Sequence, residues 1–344
     1  MKVLVLTTCV PFLRGGAEIL RDSLVSHLLE AGVDAESISI PFTWDPAERL
    51  IEEMLIARSL RLANVDRVIA LKFPAYLVPF ENKVIWLLHQ YRQAYDLYDA
   101  GWSNLLGTPR GETIRTMIQH ADQQAFATGK AVFASSSRTR DRLRHYNGVD
   151  SIVLPAPLED PALFTGGESE GYVVATGRVS EGKRQHLLLR ALRHAPGVRV
   201  VVAGPPETSQ AAAALQRIVV EEGLQDRVKL DLRFLPRAEL AGLINRSLCV
   251  ACLPFDEDTV SYVAMEAFQA RKPVVTLSDA GGVLEIVRHD ETGWVVEPTE
   301  EALATALMAA STDLPRAARY GAAGRAVLDR RGITWSQTIE RLLS

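Results

Sequence analysis

The segment Thr176-Gly177-Arg178-Val179-Ser180-Glu181-Gly182-Lys183 holds two cations in one glycine-containing loop behind the apolar run Tyr172–Thr176. Arginine grips phosphate oxygens in a planar fork and lysine adds a compact point charge. Fixed cations of this kind stabilise an anion whose charge grows as a bond breaks, as a leaving diphosphate's does. A second cluster is acidic: Asp256-Glu257-Asp258, then Thr259-Val260-Ser261-Tyr262-Val263-Ala264-Met265-Glu266. Three acids ahead of a helix suit its dipole and need no further role. Glu266 differs, because an acid within the apolar stretch Tyr262–Phe268 needs a polar partner, and a pair of sugar hydroxyls is one candidate.

Two more glycine turns join strand-like to helix-like segments. Asp279-Ala280-Gly281-Gly282 suits either an anion or a close backbone contact. Arg14-Gly15-Gly16-Ala17-Glu18 opens the first helical stretch, where amide groups favour anions. It lacks the G-x-G-x-x-G spacing, and the second strand ends in Ile40-Pro41 without an acid, which disfavours a dinucleotide cofactor. Cys249 and Cys252 spell C-x-x-C inside an apolar run. Positions three apart on a strand face opposite ways, so the two thiols should diverge, and no second pair completes a zinc site. His89 ends a strand; the other six histidines have no metal-ligand spacing and read as surface.

These groups need a framework. With 344 residues, 47% of them hydrophobic and 23% charged, the chain has the length and composition of a two-domain globular protein. A net charge of -4 argues against nucleic acid or an anionic membrane as the main partner. No apolar run is long enough for a membrane span, and none at the start reads as a signal peptide, so a cytoplasmic protein is expected.

Short β-branched runs alternate with amphipathic stretches, which predicts α/β architecture with parallel sheets. Strands are expected at Val3–Leu6, Ser37–Ile40, Arg67–Leu71, Val84–Leu88 and Ala131–Ser135, and again at Tyr172–Thr176, Val198–Ala203, Val228–Leu230, Cys249–Leu253 and Val274–Leu277. The expected organisation is a Rossmann-like lobe over residues 1–157, a linker and hinge over 158–170, a second such lobe over 171–333, and a final helix within 334–344 that crosses back to the first. Ligands of doubly wound sheets bind beyond the carboxyl ends of the strands, so two facing lobes predict a cleft between those ends.

At this point the residues resemble a known family. Gly177-Arg178 with Lys183, the acid-to-Glu266 spacing, Lys272-Pro273-Val274-Val275, Gly281-Gly282 with Glu285, and Gly293-Trp294 match retaining glycosyltransferases of family four, which have the GT-B fold. Gly15-Gly16-Ala17-Glu18, His89 and Ala134-Ser135-Ser136-Ser137 are weaker matches in the first half.

The resemblance implies that Arg178 and Lys183 neutralise the diphosphate of a nucleoside diphosphate sugar, and that Glu266 holds its ribose within a donor-side segment that includes Tyr262 and Val263. It further implies that Glu257 or Asp258 meets the transferred sugar, that His89 sits near that sugar, that Gly15 and Gly16 line the site from the first lobe, and that Phe234 and Leu235 border the base. Where the family commonly has glycine between its two acids, this chain has Thr259-Val260-Ser261-Tyr262.

The implied reaction moves a hexose to an acceptor hydroxyl with retained configuration, metal-independent and without a cofactor. The resemblance leaves the acceptor open among saccharides, lipid-linked glycans and metabolites, and leaves room for peripheral membrane contact. The alternative readings are a non-catalytic nucleotide-sugar binding protein, or a sugar phosphorylase or nucleotide-sugar epimerase of the same fold.

Overall fold

A computed structural model describes residues 1–12 and 15–344, so Arg14 of the first glycine turn lies outside the described residues. The chain divides into two units, Met1–Pro157 with Thr334–Ser344, and Leu158–Ile333.

The first unit holds β1 (Lys2–Cys9), β2 (Asp34–Pro41), β3 (Arg67–Ala70), β4 (Lys83–Leu87), β5 (Ala131–Ala134) and β6 (Ile152–Val153). They form one sheet in the order β2-β1-β3-β4-β5-β6, and every pair is parallel. Side chains alternate between its faces. Leu4, Leu6, Val68, Ala70, Ile85 and Leu87 pack with Leu50 and Met54 of one helix and Ile114 and Ile118 of another. Val3, Val5, Ile69, Val84 and Trp86 pack with Leu20 and Leu24, and with Trp335, Ile339 and Leu342 of the last helix. Trp335 also stacks on His27 at 4.7 Å, so His27 is half-buried rather than a surface residue.

The second unit holds β7 (Tyr172–Thr176), β8 (Arg199–Ala203), β9 (Val228–Asp231), β10 (Cys249–Ala251), β11 (Val274–Leu277) and β12 (Gly293–Val296). Their order is β12-β11-β10-β7-β8-β9, again all parallel. The chain winds outward from β7 to β9, returns to β10 beside β7, and winds out the other way. This is a doubly wound sheet, and its direction switches between β7 and β10. Cys249 packs on one face of it and Cys252 on the other, both as free thiols.

The segment 158–170, expected as linker and hinge, packs within the second unit. Phe164 is 1% exposed, Gly166 donates to Asn245 Oδ1 at 3.0 Å, and Lys272 Nζ donates to Gly167 O at 2.9 Å. Four elements carry weak sequence signals: β6, β12, and the helices Ser137–Asn147 and Leu314–Arg331. The first of these helices has a single buried aliphatic side chain, Leu143, and so shows no apolar stripe. Gly324 in the second is packed so closely that a Cβ there would lie 2.2 Å from the Phe268 ring.

Candidate functional site

In the second unit, the loop after β7 carries Arg178 and Lys183, and the loop after β10 carries Glu257 and Asp258. These are the two strands at which the winding reverses, where the crevice of a doubly wound sheet lies. Lys183 Nζ donates to Glu257 Oε2, joining the two loops directly. Burial works against the Lys183 ammonium, but the Glu257 carboxylate, by charge and hydrogen bond, holds its pKa above the ordinary lysine value. Arg178 is more open: among the described residues its guanidinium reaches only Glu207, at 3.5 Å, with both side chains over 40% exposed.

The backbone geometry that sets these loops comes from glycine. Gly177 has φ +104° and Gly204 has φ +144°, and a Cβ on Gly204 would lie 2.1 Å from Gly177 O. Gly177 faces Val263 Cγ2 at 3.8 Å from its own absent Cβ, so the cation loop passes over the start of the helix Tyr262–Gln269. The Gly281-Gly282 turn makes the close backbone contact that its sequence allowed. Glu257 N donates to Ala280 O at 3.1 Å, Gly282 N donates to Glu257 O at 2.8 Å, and a Cβ on Gly281 would meet Glu257 N at 2.5 Å.

Two side chains that sequence reasoning passed over pin this arrangement. Arg184, beside Lys183, grips Asp279 with Nη1 at 2.9 Å and Nη2 at 2.7 Å, and its Nε donates to Leu253 O at 2.9 Å. It thereby ties the cation loop to the end of the strand run Cys249–Leu253 and to the glycine turn. Arg184 directly follows the motif that ends at Lys183, but nothing in its spacing separated a clamp from a solvated cation.

Glu266 is 4% exposed, five residues into its helix. Its partner is Arg237, the second residue missed, whose Nη1 donates to Oε1 at 2.6 Å. Burial pushes Glu266 up, and the Arg237 charge and hydrogen bond pull against it; the net direction is upward. The polar partner that the sequence demanded is thus supplied from within the chain.

The remaining predicted residues fall as follows. Asp258 is buried at 7% exposure, and Tyr262 is half-buried, with burial pushing its hydroxyl pKa up. Leu235 is a core residue at 5%, whereas Phe234 beside it is 56% exposed. In the first unit, His89 follows β4 and its Nδ1 lies 2.7 Å from Gln90 O. Gly15 caps the helix Gly16–Glu30 with its amide donating to Glu18 Oε2 at 2.8 Å, and Lys72 lies 3.5 Å from the other Glu18 oxygen. Gly15 and Lys72 follow β1 and β3, where that sheet's winding reverses. Among the described residues, no cluster of three or more histidines, cysteines or acids could hold a metal ion. No helix among them is long and apolar enough to cross a membrane.

Residues 165–327 match the family model described as Glycosyl transferases group 1. The chain carries a group 1 glycosyl transferase domain. That domain contains Arg178, Lys183, Glu257 and Glu266. A D-inositol 3-phosphate glycosyltransferase of Mycobacteroides abscessus is 32% identical over 246 residues, 65% of this chain and 53% of the relative. An alpha-maltose-1-phosphate synthase of Mycolicibacterium smegmatis is 31% identical over 240 residues, 61% of this chain and 59% of the relative. The chain thus spans little more than half the length of these relatives.

Solved structures agree in fold around the group 1 domain and beyond it. Sucrose-phosphate synthase from Thermosynechococcus elongatus superposes with a TM-score of 0.80 at 16% identity, covering 99% of this chain and 97% of that one. Anabaena HepE in complex with UDP and glucose gives 0.74 at 21% identity, covering 100% and 99%. With its two six-stranded parallel sheets, the protein has the GT-B fold.

Proposed function

We infer that this protein is a retaining glycosyltransferase that transfers a hexose from a nucleoside diphosphate sugar to an acceptor hydroxyl. The observation that carries the reading is the meeting of the β7 and β10 loops at the winding switch, with Lys183 against Glu257 and Arg178 open beside them. In this reading Arg178 and Lys183 receive the diphosphate, and the charge developing on it as the glycosidic bond breaks is what they stabilise. Lys183 exchanges Glu257 for phosphate when the donor binds. That exchange frees the Glu257 carboxylate for hydroxyls of the transferred sugar, and buried Asp258 supports the loop from behind. Glu266 takes the ribose hydroxyls, exposed Phe234 borders the base, and His89, Gly15 and Gly16 serve the sugar and acceptor side. The two cations remove the need for a metal ion or other cofactor, and three free thiols suit a reducing cytoplasm.

The test is a thermal-shift panel of UDP, GDP, ADP and dTDP and their hexose conjugates, followed by product analysis with saccharide, lipid-linked and small-metabolite acceptors in the presence of EDTA. The expected result is stabilisation by one nucleotide family and an EDTA-resistant product whose anomeric configuration matches the donor. If no nucleotide stabilises the fold, the donor site is refuted. Stabilisation without turnover on any acceptor would favour a binding protein, and turnover dependent on free phosphate a phosphorylase.

A further inference from the structure

Arg237 is the first residue of the helix Arg237–Asn245, placed there by Pro236. Its guanidinium makes two opposed contacts. One side holds Glu266 Oε1 at 2.6 Å; the other forks onto Asp160, with Nη2 to Oδ1 at 2.6 Å and Nε to Oδ2 at 3.1 Å. Its plane lies over the buried Phe164 ring, 5.1 Å from the centroid. Asp160 and Phe164 belong to the segment with which the chain enters the second unit, whereas Glu266 lies on a different helix. A single arginine therefore fixes a buried carboxylate against two elements. Only a planar fork reaches both acids at once. Among the described residues, Glu266 Oε2 accepts no hydrogen bond, so Arg237 takes one carboxylate oxygen and leaves the other for an incoming donor.

We propose that Arg237 is a positioning residue for the donor nucleotide: braced by Asp160 and Phe164, it holds Glu266 as an oriented carboxylate ready to accept hydrogen bonds from ribose hydroxyls. The inference rests on the assignment of Glu266 to the ribose. Two hydroxyls donate well to an ionised carboxylate and poorly to a carboxylic acid, which is itself a donor. Glu266 is faced by Arg237 and Asp160 from other elements, by Tyr262 on its own helix, with Glu159 beyond it, and by the Cys252 thiol. Arg237 is the sole cation in that set, and so the group whose loss would let Glu266 take up a proton.

The experiment compares binding of UDP and 2′,3′-dideoxyuridine diphosphate across pH to wild type, Arg237→Gln, Arg237→Lys and Glu266→Gln, with the GDP or ADP pair substituted if the thermal-shift panel selects that base. Wild type should prefer the ribonucleotide. Arg237→Gln should weaken the ribonucleotide about tenfold and leave the dideoxy analogue unchanged, with a loss that deepens as pH falls. Arg237→Lys should recover part of the preference, and Glu266→Gln should make the Arg237→Gln change silent. If wild type binds both nucleotides equally, the ribose assignment of Glu266 fails and the proposal with it. If wild type discriminates but Arg237→Gln loses affinity for both nucleotides alike, or for neither, Arg237 is only structural and the proposal alone is overturned. Should Arg237→Gln fail to fold, the lysine variant carries the same test, since it keeps the charge but cannot bridge both acids.

Discussion

Lys183 and Glu257 form an ion pair between the loops that follow β7 and β10, the two strands at which the second sheet reverses its winding. On the proposed reading, a diphosphate that takes the lysine releases both the cation and the anion from each other. The pair would then oppose donor binding while preparing two groups for it. Glu257→Gln should bind nucleoside diphosphate more tightly than wild type, because Lys183 no longer has a competing carboxylate, yet turn over more slowly. Calorimetric titration beside steady-state kinetics checks the split; parallel losses in both would contradict it.

On the same reading, Lys183→Ala removes a cation from the diphosphate, and it takes from Glu257 its lysine partner. Turnover should fall by about 10²–10³-fold, the usual scale for deleting one preorganised electrostatic contact. Thermal stability should change little, since the lysine side chain is 40% exposed. Kinetics and a melting curve on the same preparation decide it.

Arg184→Ala should act on stability first. The arginine is 13% exposed and satisfies both oxygens of Asp279 as well as Leu253 O. Its loss should cost about 2–3 kcal/mol in denaturant unfolding. Donor affinity should fall as well, because the cation loop loses its tie to the β10 edge.

Gly281→Ala should be more damaging than its size suggests. The residue has φ +71°, and the added Cβ would lie 2.5 Å from both the amide and the carbonyl of Glu257. A cost of about 2–3 kcal/mol is expected from strain and collision together, with turnover lost as the acidic loop is displaced. An active, equally stable variant would show that the turn does not set Glu257.

In the first unit, burial pushes Asp122 up to about 7, against the hydroxyls of Tyr95 and Tyr76, which donate to its two oxygens and pull it down. An acid raised in the folded state binds its proton more tightly there than in the unfolded chain, whose carboxylate titrates near 4. The resulting stability is fully present below about pH 4 and is lost as pH rises to about 7. Asp122→Asn should flatten this slope, as followed by unfolding midpoints from pH 4 to 8.

The sequence carried the repetitive parts of this protein well. Alternating apolar runs announced two parallel α/β units, because a strand covered on both faces must be apolar throughout and β7 is buried along its whole length. The helix Ser137–Asn147 and strand β6 were not legible, since each has too few apolar side chains to show a period. The C-x-x-C was readable as two buried, diverging thiols from strand geometry alone, and burial does push Cys249 and Cys252 up to about 12 and about 11.

By itself, then, the sequence determined which groups are present at the strand ends: the cations Arg178 and Lys183, the acids Glu257 and Asp258, and a carboxylate at 266 that had to find a partner. Those facts follow from local pattern, which needs only neighbours along the chain. The tertiary structure decided the pairings: Lys183 with Glu257, Arg184 with Asp279, and Arg237 between Glu266 and Asp160. The partners are separated by 29 to 95 positions, and the fork between Arg237 and Asp160 spans 77. No periodicity reaches across such distances; only the order in which the strands enter the sheet brings these charges together.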